Sequence, residues 1–296
     1  MCQSSTFSSH PPLAFRLALF WAKYAPRGKG WVPRWTGRRF CVGAQFDIQT
    51  ASGARLAVDT NNLDVYTAII RLGGRWDQDV LDTCLAVLRP GDVFYDIGAN
   101  VGFIGVEIAR KIPSASVIAF EPQATLAHTI ALSAQLNNLC NLKVCELMIG
   151  EKVGQGRLFL PAHCIHASAV PREPDATETV CPITTLDEEV CNHRLPPPNV
   201  IKLDVEGSEL AVFRGARQVL AKHRPWIVFE ADDNMRRFNY TRDDIRKYLQ
   251  EIAGYRLFFI GGDGLYHTDH DIENPEFRDL LACPPERIDE LSGRVR

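Results

Sequence analysis

No apolar stretch in this sequence approaches the roughly 18 uninterrupted residues that a helix needs to cross a bilayer, which excludes an integral membrane span from the expectations. The most apolar run, residues 13–21, is broken by Arg16 and has no small-residue cleavage site, so it does not read as a signal peptide. Nine cysteines include no C-x-x-C pair, and an odd number cannot all pair internally. Reduced thiols and a cytoplasmic setting are therefore expected. Acidic residues are missing from the first 40 positions, which hold Arg16, Lys23, Arg27, Lys29, Arg34, Arg38 and Arg39. That arm carries +7 and leaves −10 for the remainder of a chain whose net charge is −3. It is expected to be partly helical, around residues 14–24, or disordered. Peripheral contact with an anionic surface, an acidic partner or the chain's own acidic body would suit it. The acidic body argues against a nucleic-acid partner.

What is present begins with residues 93–102, Val-Phe-Tyr-Asp-Ile-Gly-Ala-Asn-Val-Gly, preceded by the turn pair Pro90-Gly91. Val93, Phe94, Tyr95 and Ile97 read as a buried strand, and Phe103, Val106, Ile108 and Ala109 continue at roughly helical spacing. Strand, glycine turn and helix together open a nucleotide-binding α/β domain. The dinucleotide register fails, however. Counting from Gly98, the later glycine positions of G-x-G-x-x-G hold Asn100 and Phe103. Asp96 at the strand end would also repel a pyrophosphate. It suits a ligand with a positive group, and S-adenosylmethionine carries an α-ammonium and a sulfonium. A second short strand, residues 117–120, ends in Glu121, where a carboxylate can accept both ribose hydroxyls.

Elsewhere the pattern alternates. Residues 40–50 and 54–58 read as a hairpin, and residues 61–71 and 77–88 as helices of an accessory segment (41–90) on the lid or substrate side. A main domain over 91–270 follows, with a helix at 125–137, one strand at 142–149, and an insertion at 154–186 that reads as an added hairpin. A strand at 199–204 ends in Asp204 and is followed by one helix over 209–223. Residues 225–230 form a further strand, and Thr241 with Asp244 make a capping-box-like start for the next helix. Residues 255–260 and 265–268 form a closing hairpin, and 271–296 a C-terminal tail. Asp96, Glu121 and Asp204 should converge on one crevice, because ligands in open α/β sheets sit outside the carboxyl ends of strands.

Taken together, Asp96-Ile97-Gly98-Ala99-Asn100-Val101-Gly102, Phe120-Glu121-Pro122, Thr185-Leu186-Asp187 and the run Ile201-Lys202-Leu203-Asp204-Val205-Glu206-Gly207-Ser208-Glu209 resemble the FkbM-type methyltransferases over roughly residues 90–260. The resemblance implies a class I, Rossmann-like S-adenosylmethionine-dependent fold: α/β, with a seven-stranded, mostly parallel sheet, a C-terminal antiparallel hairpin and an N-terminal accessory segment. It also implies O-methylation of a hydroxyl on a sugar, glycolipid or other natural product. Gly98, Asn100 and Gly102 would shape the loop against the methionine part of the cofactor. Asp96 would hold its ammonium directly or indirectly, and Glu121 its ribose. Side chains near Met148 to Glu151 would line the adenine pocket. Many relatives carry Glu-x-His after the last parallel strand, whereas here Glu230 is followed by Ala231 and Asp232.

Alcohol methylation needs a proton acceptor, and Asp204 is the first candidate base, Glu206 the second. A plainer reading has Glu206 and Glu209 fixing the turn, with Lys202 paired to one of them and Glu209 at a helix start. A Mg²⁺ ion on Asp204, Glu230 or Asp232, and Asn234 is the rival, less favoured mechanism. His163 with His166, and His267 with His270, lack zinc-like partner spacing and read as surface residues, although the first pair could border the acceptor site. An inactive cofactor-binding scaffold, or transfer to a nitrogen or carboxylate, are the alternative functions.

Overall fold

Alternate side chains of residues 93–97 enter two different cores: Phe94 joins one apolar cluster, Tyr95 and Ile97 the other. Only a strand covered on both faces does this. The computed structural model describes residues 11–24, 31–41, 44–160, 168–170, 177–192, 194–268 and 272–295. In chain order it begins with helices α1 (Leu13–Tyr24) and α2 (Trp31–Phe40), the small hairpin β1 (Asp47–Gln49) and β2 (Arg55–Ala57), and helices α3 (Leu63–Arg71) and α4 (Gln78–Val87). The series β3 (Val93–Ile97), α5 (Phe103–Lys111), β4 (Ser116–Phe120), α6 (Ala124–Leu136) and β5 (Leu142–Cys145) follows. Next come β6 (Met148–Ile149), β7 (Gly154–Leu160), β8 (Thr177–Thr184), α7 (Leu186–Cys191), β9 (Val200–Leu203), α8 (Glu209–Arg214) and α9 (Arg217–His223). The chain continues through β10 (Trp226–Glu230), α10 (Arg242–Ala253), β11 (Arg256–Gly261), β12 (Gly264–His267) and β13 (Asp279–Cys283).

The main sheet has eight strands in the order β12-β11-β13-β10-β9-β3-β4-β5. The neighbours from β10 to β5 are all parallel. The chain runs outward from β3 to β4 and β5, then returns to the other side of β3 with β9 and β10. That reversal between β3 and β9 is where a crevice opens at the carboxyl ends of the strands. Both faces are covered: Val200 and Val228 pack with Phe94 on the side of α4 and α5, while Ile201, Leu203, Ile227 and Phe229 pack on the side of α8, α9 and α10.

Four expectations change. The sheet has eight strands rather than seven, because the segment expected as a tail supplies β13, inserted antiparallel between β10 and β11. Leu280, Leu281, Ala282 and Cys283 are all fully buried there, and a run that is apolar on both faces belongs in a central strand. The hairpin of β11 and β12 is present but forms the sheet edge beyond it. Residues 142–149 split between β5 of the main sheet and β6 of a separate three-stranded sheet with β7 and β8, the expected inserted hairpin. The helix expected over 209–223 breaks into α8 and α9 at Gly215, where a Cβ would lie 2.0 Å from the Gly150 carbonyl oxygen. Finally, residue 40 ends a helix instead of starting a strand.

Candidate active site

The turn between β3 and α5 is built for close backbone approach. Gly98 adopts φ +76°, and a Cβ there would sit 1.8 Å from the Asp204 carbonyl oxygen. Asn100 also lies in the left-handed region at φ 53°, which asparagine tolerates better than most residues. Gly102, at φ +80°, packs against Ile130 of α6, whose Cγ1 would meet a Cβ at 2.8 Å. Gly98 and Asn100 therefore border the crevice, whereas Gly102 seats the loop on α6.

Glu121 joins this turn to the next strand end. Its Oε2 accepts from the Asn100 amide at 2.8 Å and its Oε1 from the Gln123 amide at 3.0 Å. The side chain is buried, and burial pushes its carboxyl up to about 7 despite those two amide donors. A carboxylate offers about four acceptor sites; the Gln123 side chain also bonds it, which leaves room for a further donor.

Asp96 has a different place. It is fully buried behind the turn and is not among the residues lining the crevice. Its Oδ2 accepts from the Gly105 amide in the first turn of α5 at 3.0 Å, and its Oδ1 lies 3.4 Å from the Lys202 ammonium. Burial raises its pKa against the pull of Lys202. Lys202, equally buried, donates to the Gly98 carbonyl at 3.0 Å and pairs with Asp204 Oδ2 at 3.4 Å. Burial alone would lower the Lys202 pKa, but the Asp204 and Asp96 carboxylates outweigh it and hold the ammonium charged. Lys202 thus pairs with Asp96 and Asp204, not with Glu206 or Glu209 as expected. The cause is strand geometry: Asp96 and Lys202 are register partners across β3 and β9, and residues 202 and 204 share a face.

Glu209 is structural, as the plainer reading has it. Fully buried, it accepts from the amides of Val205 (3.3 Å) and Gly207 (3.1 Å) and from the Tyr240 hydroxyl at 2.9 Å. Glu206 sits at φ 57°, lines the crevice, and accepts from Asn234 Nδ2 at 3.2 Å.

The crevice is floored by Gly98, Asn100, Glu121, Asp204 and Glu206, with Phe120, Leu147, Met148, Ile149 and Leu158 supplying an apolar wall. Its described lining holds three carboxylates and no Lys or Arg. A pyrophosphate would meet three carboxylates and no cation in that lining; a ligand with cationic groups, a diol and a flat apolar ring would be matched at each part. Leu158 and Ala169, from the inserted hairpin and its loop, carry no motif that sequence reasoning could catch. Of the stretch Met148 to Glu151, expected beside adenine, Met148 and Ile149 line this crevice and Gly150 and Glu151 do not.

Asp204 also borders a second cleft, on the α4 side, lined by Asp77, Glu230, Arg278 and Asp279. Glu230 pairs with Asp279 in register across β10 and β13, so acids of three adjacent strands lie in a row at the sheet edge. Burial and the Asp204 charge raise the Glu230 pKa, and Asp279 is pushed up to about 7 by burial, Asp77 and Asp204. Arg278 pairs with Glu230 and, at 3.3 Å, with Asp232. Asp232 further accepts from the Asn234 amide and side chain at 2.8 and 2.7 Å. Of the oxygen ligands that Mg²⁺ would need, Asp204 is therefore paired with Lys202, Glu230 and Asp232 with Arg278, and Asn234 with Asp232. Among the described residues no group of three or more His, Cys, Asp or Glu is arranged to hold a metal ion. His163, His166 and His270 lie outside the described residues. His267, on β12, makes a ring contact with Phe258 at 5.4 Å.

A doubly covered, mostly parallel sheet, with a glycine turn at its switch point and an acid ending the next strand, defines a doubly wound α/β fold. The chain belongs to the FkbM methyltransferase family: the model of the Methyltransferase FkbM domain matches residues 96–257, more than half of the chain. Among curated proteins it is similar to the hexuronic acid methyltransferase AglP of Haloferax volcanii, with 31% identity over 49% of this chain and 59% of that protein. It is also similar to 31-O-demethyl-FK506 methyltransferase FkbM of Streptomyces tacrolimicus, with 24% identity over 46% of this chain and 66% of that protein. The chain thus spans about three fifths to two thirds of these relatives' lengths. Among solved structures, methyltransferase FkbM from Methylobacillus flagellatus aligns with a TM-score of 0.44 and 18% identity, covering 77% of this chain and 56% of that one. The family read from the motifs holds, as does the α/β, mostly parallel sheet.

Proposed function

We propose that the protein is an S-adenosylmethionine-dependent methyltransferase that acts on a hydroxyl of a sugar or similar small molecule. The observation that carries this reading is the position of Asp204, whose side chain borders both the acid-lined crevice and the α4-side cleft. The crevice residues fit the cofactor by their chemistry. Glu121 keeps acceptor capacity for the ribose, Gly98 and Asn100 give close backbone approach, and the apolar wall suits a purine. When bound, S-adenosylmethionine supplies a methyl group on a sulfonium, and the crevice's carboxylates favour a cationic ligand. The chain's own task is to align the acceptor, exclude water and take the hydroxyl proton. Asp204 takes that proton in this reading, with Glu206, held by Asn234, further along the same crevice. Similarity to a hexuronic acid methyltransferase supports a saccharide acceptor.

Incubation with methyl-labelled S-adenosylmethionine and a panel of sugars, uronic acids, glycolipids and polyketide-like alcohols tests the reading. Transferred label that survives mild alkali marks an ether, and label released by alkali marks a carboxylate ester, which needs no base. Asp204→Asn should lower the ether-forming rate by about 10²- to 10⁴-fold while leaving S-adenosylhomocysteine affinity within a few-fold. A wild-type rate in that variant would remove Asp204 as the base. Cofactor binding without transfer to any acceptor would leave a binding scaffold.

A further inference from the structure

Helix α1 is apolar on two opposite sides. Phe15 and Ala18 are buried against the body, where the Phe15 ring meets Phe46 with centroids 4.9 Å apart. On the other side Leu13, Leu17, Phe20, Trp21 and Tyr24 are between 48% and 68% exposed. Their spacing of four, three, one and three residues gathers them into one stripe at helical periodicity. A helix apolar on all sides belongs in a core or in lipid, and contiguous exposed apolar patches mark interaction surfaces. The charge in this part of the sequence has one sign: Arg16 lies exposed on the same helix, and the first 40 residues hold seven Lys and Arg and no acid.

We propose that α1 docks on an anionic lipid bilayer, its exposed stripe entering the headgroup boundary while the basic residues meet the anionic headgroups. Three features favour a bilayer over a second copy of the chain. Facing two copies through α1 would set the exposed Arg16 of each copy on one seam, with no acid on either helix to offset it. Trp21 and Tyr24 are residue types that settle at the membrane interface. At 12 residues α1 is too short to span, which fits a helix lying in the plane. Burial of Phe15 and Ala18 fixes the helix to the body, so docking needs no refolding of α1. This inference is independent of the catalytic reading.

Co-sedimentation of the full chain with phosphatidylcholine vesicles, with and without phosphatidylserine, tests it. The wild type should partition onto the anionic vesicles and much less onto the neutral ones, with binding weakened by salt. Leu17→Ser combined with Phe20→Ser should lower partitioning by about tenfold or more, and Arg16→Gln by about fivefold. Neither should change the melting temperature, because these side chains are exposed. Val180→Ser, an equally exposed apolar position on β8, should leave partitioning unchanged. Absence of wild-type binding to anionic vesicles at low salt would overturn the proposal. So would an equal loss from Val180→Ser, or a dimer in sedimentation equilibrium that the double substitution dissolves without vesicle binding.

Discussion

Glu121 should make cofactor affinity depend on pH across neutrality. Its carboxyl titrates near 7 in the free protein because burial removes hydration that the Gln123 and Asn100 amides only partly replace. Ribose hydroxyls need an acceptor, so the bound state favours the ionised form, and binding below that pH must displace a proton. If the bound carboxyl returns to the ordinary range, affinity falls by about twofold at a pH near 7 and about elevenfold one unit below, relative to the alkaline limit. Between about pH 8 and 6 the change is therefore about tenfold, or about 1.4 kcal/mol. Calorimetry with S-adenosylhomocysteine in two buffers of different ionisation enthalpy reads both the affinity and the proton released. Glu121→Gln should give a flat profile, displaced to weaker binding by about 1.5–3 kcal/mol, the worth of hydrogen bonds to a charged group. The same shift acts on stability with a definite sign. The folded pKa of about 7 lies above the ordinary 4.5, so this group stabilises the free protein in acid. That contribution, roughly 3 kcal/mol, is lost as pH rises through the folded value. A wild-type affinity independent of pH between about 6 and 8, with no proton released, would refute the reasoning.

Lys202→Met strips the cation from two carboxylates and from the Gly98 carbonyl, and should cost about 3–5 kcal/mol. Without the ammonium the Asp96 pKa rises further, so the deficit should be larger in alkaline than in acid thermal melts; an equal loss at both would count against the ion-pair account. Gly98→Ala should cost about 3 kcal/mol or more and abolish cofactor binding, because it combines a positive φ with a clash against the Asp204 backbone. Gly102→Ala should be milder, since the clashing group is an Ile130 side chain; denaturant titration of the two variants checks the order. Tyr240→Phe removes a hydroxyl 2.6 Å from the Gly207 carbonyl and 2.9 Å from Glu209. It should destabilise by about 1–3 kcal/mol and leave methyl transfer by the folded fraction unchanged.

Much of the site was legible because each acid ends an apolar strand and is followed by a turn. Parallel sheets place such positions on one edge, so Asp204 and Glu121 could be brought together from spacing alone, and the positive φ values at Gly98, Asn100 and Gly102 follow from their residue types. Asp96 shows the limit: sequence places it at the strand end but not on which side of the turn its carboxylate falls, and it falls inside. Lys202 was hidden for a related reason. Its partners are one strand away and two residues along, relations fixed by register, while a linear reading pairs it with neighbours in the motif. The strand β13 escaped because four consecutive apolar residues, Leu280 to Cys283, have no periodicity to read, and because its position in the sheet depends on an antiparallel return. The break between α8 and α9 answers to a carbonyl 65 positions upstream in the chain, at Gly150, which no local pattern records.

The arrangement around Lys202 also bears on the proposed proton transfer. Protonating one member of an isolated buried ion pair strands the other charge, at a cost of several kcal/mol. If Lys202 faced Asp204 alone, that penalty would oppose uptake of the acceptor's proton by Asp204. Asp96 changes the balance: when Asp204 becomes neutral, the ammonium still has a buried carboxylate at 3.4 Å and the Gly98 carbonyl at 3.0 Å. The buried acid behind the turn thus gives the base freedom to change charge without releasing the lysine from the loop. On this argument Asp96→Asn should lower the transfer rate even where cofactor affinity is kept. A transfer rate equal to that of the wild type at saturating cofactor and acceptor would show that Asp96 serves the fold alone.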